Sequence, residues 1–327
     1  MPNRYDHVLS FAITHPWALQ REMLSVIAGI LARRMAGQET DPAVIAASLQ
    51  NRKNLPQPTQ GSVAIIPVYG VLAPRMNLMS EMSGGTTYEQ LTGQLREAMA
   101  NNAVKTIVMD IDSPGGSVAG ATELAREIMR ARVRKPIIAQ IQYTGASAAY
   151  WLASVATEII AAPSAQIGSV GVYAAHDDIS EAMAKLGVKR TYVSAGSGKV
   201  DGNETEPLSE QGLARITLAV EDAYARFVGD VVHGRGAGMT AERVKKEWKA
   251  LLYSADEAKA LGMIDAIGTL DDTLARLLSA ASVTGRSDQS AHTSSMDGTS
   301  QEPARATDQD RPSDTWQHEI EFALLNL

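Results

Sequence analysis

The chain has 327 residues, 45% of them hydrophobic, a formal net charge of −7 and no cysteine. That apolar content can bury a substantial core, which excludes disorder as the global state. An acidic balance with no basic stripe argues against nucleic-acid binding, and the lack of cysteine rules out disulfides and thiolate metal sites.

From Pro16 to Ala36 the residues Trp17, Leu24, Ile27, Ile30 and Leu31 recur at roughly helical spacing, and Pro16 suits a first turn, so an amphipathic helix is expected. The apolar run Met23 to Leu31, flanked by Arg21 and Arg33-Arg34, is too short to span a bilayer. What precedes it has no secretory-signal pattern, so the expectation is a soluble, non-secreted chain without a transmembrane segment. Asn51 to Thr59, NRKNLPQPT, reads as a linker because two prolines and polar residues oppose both regular structures. A helical segment with linker over 1–60 is therefore expected to lead into a main domain over 61–282.

Within that domain Val63 to Val71 is a β-branched run interrupted by Pro67, the mark of an edge strand or of two short ones. Thr86 to Ala100 reads as a helix capped by Thr86 or Thr87. Thr106 to Ile111, TIVMDI, is a continuous apolar strand of the buried, parallel kind. It runs into Asp112-Ser113-Pro114-Gly115-Gly116-Ser117 and a helix to about Arg132. Pro136 to Gln142 is the next strand. It leads to Gly145-Ala146-Ser147 and a helix carrying Tyr150, Trp151 and Leu152. This alternation predicts an α/β fold with right-handed crossovers.

Further strands are expected at Glu158 to Ala161, Ser169 to Tyr173, Lys189 to Ser194 and Met263 to Ile267. Helices are expected at Asp178 to Leu186, from Leu208 onward with a stripe of Leu213, Ile216, Val220, Ala223 and Phe227, at Thr240 to Trp248 and at Ser254 to Leu261. Ala195 to Glu206 is a polar loop containing Lys199. From Val283 the composition turns to Ser, Thr, Gln, Asp and Pro, so 283–327 is expected to be a disordered tail. His318 to Leu327 recovers apolar character, as a frayed terminus or a short docking helix.

A strand that breaks sharply into a helix can hold a hydroxyl at the helix N-terminus, where free N–H groups and the macrodipole favour negative charge. Ser147 is thus a candidate nucleophile; the plain alternative is an N-cap serine. Gly115 and Gly116 have no side chains, so backbone N–H groups there can approach a substrate carbonyl and form an oxyanion hole, unless they only make a turn ahead of a helix. Two bases are available to the serine. His176 stands beside Asp177 and Asp178, as in a Ser-His-Asp triad. Lys199 is the rival, and burial would have to lower its proton affinity; by composition alone it reads as a solvated charge.

SPGGS after a buried strand, then GASAAYW, QIGSVGV and SGKVDGN, in this order and spacing, resemble the serine peptidases related to signal peptide peptidase A. The match is to their phage and prophage branch, the minor capsid protein C type of head maturation protease, and covers roughly Val63 to Leu278. The resemblance implies a Clp-protease/crotonase-like superhelical β-α-β fold. It also implies a Ser/Lys dyad, with Ser147 as nucleophile and Lys199 as base, oxyanion N–H groups from Gly115 and Gly116, and Ser169 orienting the lysine ammonium. No cofactor or metal is implied.

The implied activity is ATP-independent cleavage of protein or peptide chains such as phage scaffold, portal or coat proteins, in the host cytoplasm or the prohead. No phosphate-binding GxxxxGK[ST] motif occurs. Members form homo-oligomeric rings, and those with tandem copies take lysine from one copy and serine from the other. The chain departs from the commonest form, SGG, in reading Ser147-Ala148-Ala149. A Clp-like triad and a non-catalytic capsid assembly factor stand as the other readings.

Overall fold

The computed structural model describes residues 16–19, 59–60, 62–75, 85–196 and 198–289. The chain divides into two compact units, 1–284 and 285–327. In the second, the described residues are the last turn of a helix ending at Gln289.

Trp17–Leu19 form a strand, β1, rather than the opening of the helix that the apolar spacing predicts. The cause is tertiary. Trp17 exchanges two backbone hydrogen bonds with Tyr173, of 2.8 and 3.0 Å, and the opposite edge of β1 pairs with residues 115–117. Such long-range pairing overrides local periodicity. The rest of that expected helix, 20–36, and the linker up to residue 58 lie outside the described residues. Thr59 opens β2 (Thr59–Gln60), which pairs with β3 (Val63–Tyr69) only at Val63 and Ala64. Beyond Ala64, β3 has no described strand on that side, and Pro67 sits in this edge-like stretch.

β4 (Leu72–Ala73) and β5 (Thr86–Thr87) lead into α1 (Tyr88–Ala100), whose Thr87 hydroxyl accepts the Gln90 N–H at 3.1 Å. Next come β6 (Thr106–Ser113), β7 (Gly115–Ser117) and α2 (Ala121–Ala131). β8 (Ile137–Ala146), α3 (Ala148–Ser154), β9 (Glu158–Ala161) and β10 (Gln166–Gly168) follow. The strand expected at Ser169 to Tyr173 is absent: ladder pairing ends at Gly168, and only the isolated bridge from Tyr173 to Trp17 follows.

α4 (Ser180–Lys185) buries no residue. Lys189 to Ser194, expected as a strand, is irregular, with Val193 97% exposed; a β-branched run becomes a strand only beside a partner. α5 (Glu210–Arg235) precedes α6 (Ala241–Arg243), which continues as a π-helical turn over Val244–Trp248. β11 (Leu252–Ser254) enters α7 (Ala255–Ala260) through a capping box of Ser254 and Glu257. After β12 (Ala266–Ile267), α8 (Leu270–Gln289) carries helix seven residues into the segment expected to be disordered from Val283.

The main sheet runs β11-β10-β8-β6-β3-β2, with β9 and β12 branching from β8. β3, β6 and β8 are mutually parallel, joined through α1 and α2: this is the β-α-β succession of an α/β fold. β8 changes partners along its length, pairing β9 over Ile138–Ile141 and β10 over Thr144–Ala146. A second sheet, β1-β7-β4-β5, lies against the end of the first. Continuous apolar β6 and β8 are buried on both faces, as parallel strands require.

The core closes around α3, every residue of which is buried. Trp151 stacks on Phe227 with centroids 4.4 Å apart and donates its indole N–H to Asp230 at 2.8 Å. Tyr150 meets Trp248 edge-on at 5.9 Å and donates to the Met263 carbonyl at 2.8 Å. Asp265 closes the C-terminal side by accepting the Ile159 N–H and pairing with Arg235. Partial burial opposes the Asp265 charge, but the Arg235 and Ile159 bonds outweigh it and hold the carboxyl below the usual range. A depressed carboxyl stabilises the fold above its unfolded value of about 3.9, and this contribution is lost as pH falls through the folded value. Asp265→Asn should therefore flatten the acid limb: in thermal melts from neutral pH to about pH 2, the wild type loses more Tm than the variant.

Candidate active site

Ser147 stands between β8 and α3 with φ 54° and ψ −119°, a left-handed conformation unusual for a residue with a side chain. Its backbone is pinned on both sides. The Ser147 N–H donates to the Gly168 carbonyl at 2.8 Å, and its own carbonyl accepts the Trp151 N–H at 2.8 Å. Although Ser147 occupies the N-cap position of α3, its side chain makes no capping bond. The hydroxyl is buried, with the residue 1% exposed, and has no hydrogen-bond partner among the described residues. The N-cap alternative is thus removed by geometry. A strained strand-to-helix turn that aims an unpaired hydroxyl is the arrangement of a nucleophile elbow.

Gly115 and Gly116 lie against this turn in β7. A Cβ on Gly115, which has φ +99°, would fall 2.3 Å from the Ala18 carbonyl oxygen, 2.9 Å from the Ala148 nitrogen and 2.9 Å from the Ser147 Cβ. A Cβ on Gly116 would fall 1.9 Å from the Leu72 carbonyl oxygen. Both positions therefore need glycine. The Gly115 N–H donates to the Ser113 hydroxyl at 3.2 Å, and that hydroxyl donates to the Gly70 carbonyl at 2.6 Å. Sequence reasoning missed Ala148, whose N–H opens α3 beside Ser147; first-turn N–H groups have no intrahelical partner. The signal was available, since the residue after an elbow nucleophile supplies an oxyanion donor. It also missed Trp17–Leu19.

Ser169 directly follows the carbonyl that anchors Ser147. It too has positive φ, 53°, and its N–H is held by the Leu251 carbonyl at 2.7 Å. Lys199 is exposed on the loop after Val193, and its side chain has no hydrogen-bond or ion-pair partner among the described residues. The single chain does not bond Lys199 to Ser147. His176 is turned to the Asn203 carbonyl at 3.0 Å, and Asp178 accepts the Ser180 N–H at 2.9 Å, so neither forms a triad with Ser147. Among the described residues no group of three or more His, Cys, Asp or Glu could hold a metal, and no helix is long and apolar enough to cross a membrane.

An α/β scaffold holding a strained serine against a glycine strand is an arrangement that serine hydrolases with an elbow nucleophile use. More narrowly, residues 130–284 match the family model described as Peptidase family S49, in agreement with the resemblance to signal peptide peptidase A-like enzymes. The chain is 30% identical over 256 residues to the head-tail preconnector protein GP5 of Enterobacteria phage P21, covering 74% of this chain and 51% of that protein. It is 29% identical over 284 residues to the capsid assembly protease C of Escherichia phage lambda, covering 82% and 64%. The chain thus spans about half of the first relative's length and just under two thirds of the second's. Among solved structures, the 1510-N membrane protease specific for a stomatin homolog from Pyrococcus horikoshii aligns over 65% of this chain and 77% of its own, with a TM-score of 0.37 and 16% identity.

Proposed function

We propose that the chain is a serine endopeptidase in which Ser147 is the nucleophile and Lys199, supplied by a second copy, is the general base. The observation that supports this reading best is the Ser147 turn: strained, pinned at both backbone ends, with a buried hydroxyl that nothing among the described residues engages. In the reaction a neutral Lys199 amine takes the Ser147 proton as Oγ attacks the scissile carbonyl carbon. The Gly115 N–H, released from the Ser113 hydroxyl, and the N–H groups of Gly116 and Ala148 hold the oxyanion. The leaving amine takes the proton back from lysine, and water then hydrolyses the acyl ester. Ser169, one residue from the Gly168 anchor, orients the lysine ammonium. Residues 61–282 serve as the peptidase domain, between an N-terminal segment (1–60) and a tail (283–327).

Two features support assembly. Lys199 is exposed and distant in bonding terms from Ser147, and the arm around it displays Leu186, Val193, Leu213 and Leu218, each more than half exposed. Packing this arm against a second copy would cover those side chains and give the lysine the buried setting in which an amine gives up its proton near neutral pH. A homo-oligomeric ring follows from such a heterologous contact. The similarity to a capsid assembly protease and a head-tail preconnector supports capsid scaffold, portal or coat proteins as substrates, cut without ATP during head maturation in the host cytoplasm or prohead.

Mixing subunits tests the shared site. Ser147→Ala and Lys199→Ala chains should each be inactive, whereas oligomers refolded from an equal mixture recover about a quarter of wild-type peptide cleavage. That is the share of heterologous contacts joining an intact serine to an intact lysine. No recovery in oligomers shown by mass to be mixed rejects the shared site, and intact-mass comparison of wild type with Ser147→Ala reads any self-cleavage.

A further inference from the structure

The chain's own β1 passes beside the Ser147 turn, on the far side of Gly115. Trp17, Ala18 and Leu19 are 1%, 0% and 2% exposed. On one edge β1 pairs antiparallel with the glycine strand, Trp17 opposite Ser117, Ala18 opposite Gly116 and Leu19 opposite Gly115. On the other edge Trp17 exchanges backbone hydrogen bonds with Tyr173, four residues after Ser169. An extended segment held by main-chain bonds on both edges is how peptides are captured by strand addition, with pockets reading alternate side chains. The register is informative. The Ala18 carbonyl oxygen, the Ala148 nitrogen and the Ser147 Cβ all converge on one point beside Gly115, at 2.3, 2.9 and 2.9 Å. The Ala18 carbonyl, the Ala148 nitrogen and the Ser147 Cβ thus border the same small volume beside Gly115, which makes Ala18 the β1 residue whose carbonyl lies nearest the candidate site among the neighbours of Gly115.

We propose that residues 16–19 occupy the substrate groove of their own active site, in the register of a peptide whose Ala18–Leu19 bond faces Ser147. β7 and Tyr173 are then the two rails of the groove. The ligand it takes is an extended peptide with a small side chain before the scissile bond and large apolar ones on either side. Ala18 is fully enclosed, 0% exposed, so a larger side chain at that position has no open space to enter. The tethered segment competes with every incoming substrate, and the groove opens only when β1 leaves. This assignment rests on the reading of Ser147 as nucleophile and adds the substrate class and a built-in competitor.

The test uses full-length Ser147→Ala, so that nothing is cleaved, and a fluorescein-labelled Pro-Trp-Ala-Leu-Gln peptide followed by polarisation. Adding Trp17→Ala, which weakens the tethered strand, should tighten peptide binding at least tenfold, and replacing the peptide's Ala by Phe should abolish it. Unchanged or weaker affinity overturns the proposal, and equal binding of the Phe peptide overturns the small-residue pocket. Hydrogen exchange on the Ser147→Ala parent gives a second readout that needs no destabilised variant. Saturating peptide should speed exchange of the β1 amides at least tenfold while Gly115–Ser117 stay protected; β1 amides that remain protected mark a fixed wall and overturn the proposal. Fluorophosphonate labelling of the Trp17→Ala chain with Ser147 intact checks the underlying reading separately. Absence of labelling beside tighter peptide binding rejects the nucleophile and keeps the groove occupant.

Discussion

Ser147→Ala is expected to lower peptide cleavage at least ~10³-fold while leaving the melting temperature within about two degrees of wild type. The two halves of this expectation have different causes. Activity falls because the substitution removes the hydroxyl that the proposed reaction uses as its nucleophile. Stability holds because the Ser147 side chain bonds to nothing among the described residues, whereas its backbone N–H and carbonyl, which anchor β10 and α3, survive the change. Ser147→Gly separates strain from chemistry. Glycine adopts φ 54° without a Cβ penalty, so relief of strain on the order of 1 kcal/mol offsets the entropy glycine adds to the unfolded chain. A Ser147→Ala chain that cleaves peptide at the wild-type rate would remove Ser147 from the chemistry.

Gly116→Ala should be the most damaging single substitution in the site, costing at least ~3 kcal/mol in denaturant unfolding. The new Cβ would lie 1.9 Å from the Leu72 carbonyl oxygen and 2.6 Å from the Leu72 carbon and nitrogen, and these are backbone atoms with no rotamer to yield. Gly116 is also held between two strands, β1 and β4. Moving β7 to make room breaks the second sheet and withdraws the Gly115–Gly116 strand from Ser147 together. By contrast Gly93→Ala, in α1 with nothing within 4 Å of the new Cβ, should stabilise by up to about 1 kcal/mol. If Gly116→Ala unfolds at the wild-type denaturant midpoint, the described packing of β7 on β4 is wrong.

How much of this was legible depends on whether a residue's conformation is set locally. β6 and β8 were readable because continuous apolar runs of strand length are what a sheet buried on both faces needs. α1 was readable through Thr87, whose side chain caps its own helix. The Ser147 turn was readable as a break between strand and helix, though its positive φ was not, because nothing in a Gly-Ala-Ser string requires serine to adopt it. β1 was missed since Trp17 and its neighbours fit a helical spacing, and their true partner lies about a hundred residues further on in Gly115–Ser117. Lys189 to Ser194 erred in the opposite direction. Its residues favour strand, yet no described edge receives them. Lys199 was assigned by resemblance, and a single chain offers no local reason for it to approach Ser147.

Gln140, in the middle of β8, is completely buried and is satisfied from far ahead in the chain. Its amide donates to the Gly268 carbonyl at 3.0 Å, and its oxygen accepts the Thr273 hydroxyl at 2.6 Å. Together with Tyr150 bonded to Met263 and Ile159 bonded to Asp265, this ties both flanks of the Ser147 turn to residues more than a hundred positions later in the chain. On the ribosome, therefore, a growing chain leaves these polar groups unsatisfied until residue 273 has emerged. The turn that holds Ser147 gains these flanking bonds only after more than a hundred further residues have been added, so its final geometry is set late relative to its own synthesis.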